Sequence, residues 1–399
     1  MDYTNEGQIK RAKSQNEKDE SINGFDRLPY EIAIDTLSRL PVTSLVQLSY
    51  SCRSLNSLSH DPDFVSLHLS KSSTNDSDCL ILHSNYPLRN MLHFICLSDK
   101  KVRKFNIPLA ISMPEFSILG SSNGLLCLVN SLFPDSLCLY NPFRRGHIEI
   151  PKNSVFKDKS VVYGFGFNPI TNDYKVIMIA DHKVTYSRKT VFSSYYNRPV
   201  SDVQIYSVNS NVWLNRGIMP YCLEKWSKRG VLVSGRLHWV SRCVSLNGHF
   251  QRTIVSYNLA DDAFDIVHCP TPHTLRRWTP SYLSSLDGCL SVVVHIHNMG
   301  DAFHVWILRE YGVCESWVKA YTVGTYFRVP REPGIIKSLL CVLRSGELLL
   351  EYWGSGNSLV VYDQTKFTFK SLSECLRIPE AFDDALFHVG GLTAAAAFQ

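Results

Sequence analysis

The chain has 399 residues, a formal net charge of +5, 45% hydrophobic residues and 19% charged residues. The hydrophobic content is ordinary for a soluble globular protein and supplies apolar side chains for one large domain and one small one, while the charged fraction is below the usual quarter. The basic residues are scattered, whereas nucleic acid binding needs them concentrated on one face, so nucleic acid is disfavoured as a partner. No apolar run reaches the roughly 18 residues that span a bilayer, and the N-terminus shows no secretory signal, so we expect no membrane association.

The 12 cysteines lie far apart in the sequence and include no Cys-x-x-Cys pair. This spacing predicts neither a disulfide framework nor a zinc ribbon and is typical of reduced, buried thiols. We therefore expect the protein in the cytoplasm, the nucleus or both. Residues 1–24 are polar, with mixed charges and almost no large apolar side chains, and we predict that they are disordered.

A helical block follows the polar tail. Pro29 stands where the first turn of a helix tolerates proline, and Pro41 ends that helix. Ser44 and Gln47 match a capping box, which predicts the start of a second helix. After it, apolar residues recur at helical spacings of three and four residues: Leu45, Leu48, Cys52, Leu55 and Leu58.

The apolar residues of the first helix cover more of its surface than one neighbour needs. At about 100° per residue they spread over roughly 200°. The residues are Ile32, Ala33, Ile34, Leu37 and Leu40. This excess predicts a second apolar surface against the block, supplied either by the following domain or by another protein.

From about residue 78 to residue 392 the sequence changes to short apolar runs separated by Gly, Pro, Asn and Asp. We count roughly two dozen candidate strands and no long helix, and the turn signals between them indicate an antiparallel meander. So many strands do not fit in one open sheet, whereas a β-propeller arranges them as four-stranded blades. The sequence predicts a propeller of about six blades. A large β-sandwich or a pair of barrels is the alternative, because the spacing of the runs is irregular.

No catalytic signature is recognisable in the sequence. His295 and His297 could be two metal ligands on one strand, but no third ligand is near them in sequence. We predict no metal and no cofactor. Paired carboxylates of a glycosidase can form across blades without leaving a local pattern, so a propeller lectin or glycosidase stays an alternative.

Three segments between the predicted strands combine arginine with large aromatic residues, which is the composition of interface hot spots. Their key residues are Arg188, Tyr195 and Tyr196; Arg276, Arg277 and Trp278; and Tyr326, Phe327 and Arg328. Loops on a rigid scaffold often carry recognition, so these are candidate binding loops. The alternatives are ordinary connecting loops, a further hairpin at residues 181–201, or base stacking with RNA, which the modest net charge disfavours.

The helical block resembles an F-box. The matching residues are Leu28, Pro29, Ile32, Leu37, Arg39, Leu40, Pro41, Ser44, Leu45, Cys52, Arg53, Ser54, Asp61, Pro62, Asp63 and Phe64. The rest of the chain resembles the plant F-box-associated interaction domain. The matching stretches include GSSNGLLC at 120–127, GFGFNP at 164–169 and GRLHW at 235–239. The resemblance covers about residues 25 to 390.

This resemblance implies a non-catalytic substrate-recognition subunit of a Skp–cullin–F-box ubiquitin ligase. The F-box at 25–70 would bind a Skp-family adaptor and, through it, a cullin. The β-domain at 78–392 would bind an unknown target protein, with the three loops as candidate target-binding loops. The residues that would face the adaptor, or shape that face, are Leu28, Pro29, Ile32, Leu37, Leu40, Pro41, Leu45 and Leu48.

Two positions of the helical block depart from the F-box pattern. Ser51 stands where an apolar residue is usual, and Leu55 stands where tryptophan is usual. At roughly 25 cal/mol per Å² of lost apolar burial, leucine in place of tryptophan costs about 1–2 kcal/mol. We therefore expect a looser bundle or weaker adaptor binding. The corresponding alternative function is an F-box-like interaction module that acts outside a ligase.

Overall fold

The computed structural model describes most of the chain. The described residues are 29–72, 79–84, 91–97, 101–107, 113, 115–156, 159–181, 200–244, 250–268, 280–296, 302–324, 327–329, 332–333, 335–353, 357–376, 378 and 382–393. Leu28 and the tail at 1–24, for which we predict disorder, lie outside these residues. None of the described helices has the length and apolar character needed to cross a membrane.

Four short helices form an N-terminal bundle. They are α1 (Tyr30–Ser38), α2 (Val42–Ser49), α3 (Arg53–His60) and α4 (Pro62–Ser72). Pro29 and Pro41 are the N-cap residues of α1 and α2, where the missing proline N–H costs nothing. The capping box predicted at Ser44 and Gln47 is wrong, because α2 begins at Val42 and no side chain caps it. Pro41 already sets the start of that helix.

Antiparallel strands occupy most of the remaining described chain. Consecutive strands form the sheets, except that one strand from the C-terminal end of the chain joins the first sheet. Blade 1 contains β1 (Cys79–His83), β2 (Met91–Cys96), β3 (Lys101–Asn106) and β27 (Asp384–His388). Blade 2 contains β4 (Phe116–Ser122), β5 (Leu125–Asn130), β6 (Leu137–Tyr140) and β7 (His147–Ile150). Blade 3 contains β8 (Val161–Asn168), β9 (Asp173–Asp181), β10 (Ser201–Ser207) and β11 (Val212–Met219).

The second half of the ring has the same organisation. Blade 4 contains β12 (Cys222–Leu223), β13 (Val231–Val233), β14 (Arg236–Val244), β15 (Phe250–Asn258) and β16 (Phe264–Val267). Blade 5 contains β17 (Pro280–Leu286), β18 (Cys289–Ile296), β19 (Ala302–Leu308) and β20 (Trp317–Val323). Blade 6 contains β23 (Ile335–Val342), β24 (Leu348–Trp353), β25 (Asn357–Asp363) and β26 (Thr368–Ser371). The remaining elements are the hairpin of β21 (Phe327–Val329) and β22 (Glu332–Pro333), the helix α5 (Leu372–Leu376), and two 3₁₀ turns at Ser154–Phe156 and Cys314–Ser316.

These sheets confirm the predicted fold, which is a helical region followed by a propeller-like arrangement of six blades. The ring closes through β27, which comes from the C-terminal end of the chain and pairs with β1 in the first blade. The inner strands of neighbouring blades contact one another around a central axis, for example β4 with β8 and β17 with β23. The apolar side chains are buried between successive blades.

The inner strands β4 and β27 run in the same direction along the axis. Near their starts, the Ile118 N–H donates to Asp384 Oδ2 at 2.9 Å. Near their ends, Ser121 Oγ lies 2.8 Å from His388 Nδ1. We call the end at which the inner strands begin the open face of the propeller. We call the opposite end, at which they finish, the helical face.

The helical bundle packs against the helical face. Leu392, which follows β27, is only 1% exposed and belongs to the same buried cluster as Leu37, Leu45 and Phe64 of the helices. A Cβ atom at Gly391 would lie 3.0 Å from the Leu69 side chain and 2.7 Å from the carbonyl oxygen of Asn123. The second apolar surface that the first-helix residues predict is therefore supplied in part by the propeller.

Candidate functional site

The helical bundle keeps large apolar side chains on its surface. Tyr30 is 69% exposed, Ile32 is 54% exposed and Tyr50 is 80% exposed. Pro29 and Pro41, at the starts of α1 and α2, are also exposed. Contiguous exposed apolar side chains mark protein-interaction surfaces, and these residues are the candidates for such a surface on the bundle.

The other residues predicted for adaptor binding lie deeper in the bundle. Leu37 is 2% exposed and Leu45 is 5% exposed, and both belong to the buried cluster. Leu40 and Leu48 are half-buried and pack against that cluster. The structure thus separates exposed residues that can touch a partner directly from buried ones that support them. Whether an adaptor binds there stays a prediction.

The two positions that depart from the F-box pattern are accommodated without an unsatisfied polar group. The exposed Ser51 hydroxyl donates to the carbonyl oxygen of Leu48 at 2.6 Å. Leu55 is half-buried and packs against the buried cluster.

Polar contacts tie α1 to α4 and so hold the bundle together. Lys71 Nζ lies 2.5 Å from Asp35 Oδ1, and Arg39 Nε lies 3.0 Å from Asp35 Oδ2. Hydrogen bonds from Arg39 and Lys71 lower the pKa of Asp35 to about 2. The buried His68 places Nε2 3.0 Å from the carbonyl oxygen of Leu40, and burial lowers the pKa of this histidine.

A cavity of about 1000 Å³ occupies the axis of the propeller. The inner strands of blades 2, 5, 6 and 1 line it, together with residues 225–232 of blade 4. Its wall is rich in polar side chains, including Ser117, Ser284 and Ser338. A cavity of this size has room for several side chains of a bound partner.

The inner strand of blade 4 is interrupted at the open face by residues 224–230, which we call the strap. Leu223 pairs with Ser241, and Val231 pairs with His238. The seven strap residues therefore lie opposite a stretch of only two residues of β14. The other blades each have one continuous inner strand among the described residues. The strap is thus an insertion that lines the mouth of the cavity.

Hydrogen bonds to three other blades fix the strap. The Tyr163 N–H of blade 3 donates to the Lys228 carbonyl oxygen at 2.7 Å, and the Gly230 N–H donates to the Tyr163 carbonyl oxygen at 2.7 Å. Trp226 Nε1 donates to Ser281 in blade 5 at 2.9 Å. Arg229 Nη2 donates to the carbonyl oxygen of Ala385 in blade 1 at 2.6 Å. A Cβ atom at Gly230 would lie 2.7 Å from the Trp239 ring, so the strap packs closely on blade 4.

Most charged side chains at this mouth are engaged in pairs. Ion pairs join Lys225 to Asp181 at 2.5 Å, Arg252 to Glu224 at 3.2 Å, and Lys337 to Glu351 at 2.8 Å. Burial alone would raise the pKa of Asp384, but its contact with His83 and the charge of Arg229 lower it overall. Asp384 is therefore held in its ionised form by these neighbours.

Two family models match this chain. Residues 25–67 match the F-box domain, and residues 73–372 match the F-box associated beta propeller domain. The chain belongs to the plant F-box proteins with an F-box-associated β-propeller domain. This membership confirms the resemblance that the sequence indicated.

Relatives of this F-box protein occur in Arabidopsis thaliana. F-box protein At3g07870 is 38% identical over 380 residues, which cover 88% of each chain. F-box protein CPR1 is 29% identical over 324 residues, which cover 74% of this chain and 73% of the relative. Among solved structures, an oligogalacturonate lyase in complex with manganese is 9% identical with a TM-score of 0.41, over 74% of this chain and 78% of the lyase. That structural likeness carries no functional argument.

Most residues of the three candidate target-binding loops lie outside the described part of this F-box protein. These residues are Arg188, Tyr195, Tyr196, Arg276, Arg277, Trp278 and Tyr326. Phe327 and Arg328 belong to β21, and only their backbone is described. Asp181 and Ser201, which flank the first loop, pair with each other at the open face. The role of these loops stays a prediction.

Sequence reasoning missed the strap of the propeller domain. Lys225, Trp226, Lys228 and Arg229 have the same combination of cations with an aromatic residue that singled out the three loops. Applied to residues 220–230, that criterion would have found them. The sequence does not show that this segment lies at the cavity mouth, because only the pairing of β12 and β13 with the same strand reveals it.

Proposed function

We propose that this chain is the substrate-recognition subunit of a Skp–cullin–F-box ubiquitin ligase and performs no covalent chemistry itself. Its F-box would bind a Skp-family adaptor and, through it, a cullin, while its propeller would hold the target protein. Such a receptor acts by raising the effective concentration of the target near the conjugating enzyme. We place this activity in the cytoplasm, the nucleus or both. Restriction of a fluorescent fusion to the secretory pathway would contradict that placement.

One observation carries the proposal: the F-box bundle, with Tyr30, Ile32 and Tyr50 exposed, docks on the helical face of the propeller, whereas the strap lies at the open face. Two partners can therefore be held at the same time without competing for one surface. The packing of Leu392 into the helical cluster couples the two domains, so a target at the open face would have a defined direction relative to the adaptor.

Two carboxylates that line the cavity, Glu351 and Asp384, do not support the glycosidase alternative. Glu351 accepts hydrogen bonds from Lys337 at 2.8 Å and from Ser338 at 3.1 Å. Asp384 is engaged by the backbone of Ile118 and lies 3.9 Å from Arg229. A general acid needs a carboxyl whose pKa is raised, whereas the neighbours of Asp384 lower its pKa.

Titration of the purified chain with a Skp-family adaptor tests the proposal. We expect Ile32→Asp to weaken adaptor binding about tenfold or more, because it places a charge in the centre of an apolar contact. Ile218→Asp is the matched control, since Ile218 is 56% exposed on β11, away from the bundle. Equal binding of the adaptor to both variants, or no binding by the unmodified chain, would contradict the proposal.

A further inference from the structure

We propose that the strap is the target-contact site of the propeller and accepts an acidic peptide segment. In this arrangement a carboxylate of the target lies against Lys228, and a neighbouring apolar side chain packs on Trp226. The inference rests on the proposed function, because it assigns the surface with which the receptor holds its target. It also names the chemistry of that target.

The strap is pre-organised for binding. Its backbone and side chains are tied to blades 1, 3 and 5 through Ala385, Tyr163 and Ser281. Pairing with β14 resumes at β13 after the insertion. A segment that is already ordered loses little conformational freedom when a ligand binds, which favours affinity.

Trp226 provides the apolar part of the site. It is 40% exposed, and its Nε1 is fixed on the Ser281 carbonyl oxygen at 2.9 Å. The Arg252 guanidinium lies 4.4 Å from the centroid of the indole ring. The Tyr282 ring lies 6.4 Å from it. Tryptophan, arginine and tyrosine are the residues most enriched in interface hot spots, and a fixed, half-exposed indole is a platform for an apolar side chain.

Lys228 provides the charge preference. It is exposed, and no ion-pair partner for it is found among the described residues. The nearby carboxylates Glu224 and Asp384 are mostly buried and are neutralised by Arg252 and Arg229. They therefore repel an incoming anion only weakly, and Lys228 is left to pair with a carboxylate of the partner.

Selection from a phage-displayed library of random linear peptides tests the inference with the full chain as bait. We expect the enriched peptides to contain Asp or Glu beside an aromatic or aliphatic residue. Lys228→Glu should weaken their binding about tenfold, and Trp226→Ala should do so at least as strongly. The matched control is Lys370→Glu, which makes the same charge change at an exposed position on β26 and should bind the peptides like the unmodified chain.

Two results would overturn the inference: enriched peptides without an excess of Asp and Glu, or unchanged binding by Lys228→Glu. Trp226→Ala removes a hydrogen bond to blade 5, so its melting temperature is measured alongside, whereas Lys228→Glu alters only an exposed side chain. Adaptor binding is measured separately on the same proteins. Loss of adaptor binding with intact peptide binding would reject the ligase role and leave the strap site standing.

Discussion

Arg144 of blade 2 reaches His60 at the end of α3. Its Nη1 donates to His60 Nε2 at 2.7 Å, and its Nη2 donates to the carbonyl oxygen of Ser59. His60 Nδ1 lies 2.8 Å from the Asn56 carbonyl oxygen, so the neutral ring donates there and accepts from Arg144. This contact joins the F-box to the propeller at a point separate from the C-terminal segment, and it limits the motion of one domain against the other.

Arg144→Ala should loosen the F-box from the propeller. Loss of the two hydrogen bonds is expected to cost about 1–3 kcal/mol of docking free energy. Hydrogen exchange of the α3 and α4 amides would then be faster, while exchange within the blades is unchanged. Arg145→Ala is the control, since Arg145 is the exposed neighbour in the same turn. Equal exchange in the two variants would show that Arg144 does not couple the domains.

Asn141→Asp should destabilise the same junction by a different route. The Asn141 Oδ1 accepts from the backbone of the turn, and a carboxylate would keep that role. Its Nδ2 donates to the carbonyl oxygens of Gly391 at 3.0 Å and Thr393 at 2.7 Å. Aspartate would replace this donor group with a buried negative charge. We expect the free energy of unfolding to fall by about 3 kcal/mol or more.

The control for this substitution is Asn130→Asp. Asn130 Oδ1 accepts hydrogen bonds from the N–H groups of Leu132 at 2.8 Å and Phe133 at 3.1 Å, and aspartate preserves both. Its free energy of unfolding should stay within about 1 kcal/mol of the unmodified chain. Urea denaturation measures both variants, and equal losses would contradict the role assigned to the Asn141 amide.

Gly230→Ala should displace the strap. The added Cβ would lie 2.7 Å from the Trp239 ring, which is too close for a real contact. Overpacking of this kind typically costs about 1–3 kcal/mol, and it should also weaken binding of any peptide held by Trp226. Gly324→Ala serves as the control, because a Cβ added there would meet no atom within 4 Å. A melting temperature that falls equally in both variants would contradict close packing of the strap.

His238 makes the fold sensitive to acid. Burial lowers its pKa from 6.5 to about 4. The neutral ring donates through Nδ1 to the Val231 carbonyl oxygen at 3.1 Å and accepts at Nε2 from the Tyr311 hydroxyl at 2.7 Å. Below pH 6.5 the unfolded chain binds a proton at this position that the folded chain does not bind. Stability contributed by neutral His238 is therefore present above pH 6.5 and is lost progressively down to about pH 4, by about 3 kcal/mol in total.

Chemical denaturation between pH 7 and pH 4 measures this effect. His238→Gln keeps an acceptor near Tyr311 but cannot bind the proton, so its stability should fall less steeply with decreasing pH. Its stability at pH 7 serves as the reference for that comparison. An identical slope in the variant and the unmodified chain would show that His238 is not a source of the acid sensitivity.

The blades were predictable because each is built from strands that are consecutive in sequence and separated by turn residues. Ring closure was not, since the pairing of Leu386 with Ile81 joins opposite ends of the chain and leaves no local pattern. The start of α2 was misplaced because Ser44 matches a capping box although Pro41 already begins the helix.

The interaction surfaces were also predictable from the sequence only in part. The sequence indicated excess apolar surface on the first helix, but not that Leu392 of the propeller covers part of the bundle while Ile32 stays exposed. The sequence analysis did not single out the strap residues Trp226 and Lys228. Their position at the cavity mouth follows from strand register and from hydrogen bonds between blades, which composition does not encode.

Sedimentation of the full chain with a cullin, in the presence and absence of a Skp-family adaptor, tests the central claim most directly. A substrate receptor should co-sediment with the cullin only when the adaptor is present, and Ile32→Asp should abolish this bridging while Ile218→Asp preserves it. A chain that binds the adaptor but never recruits the cullin would contradict the ligase role and favour an F-box-like interaction module outside a ligase.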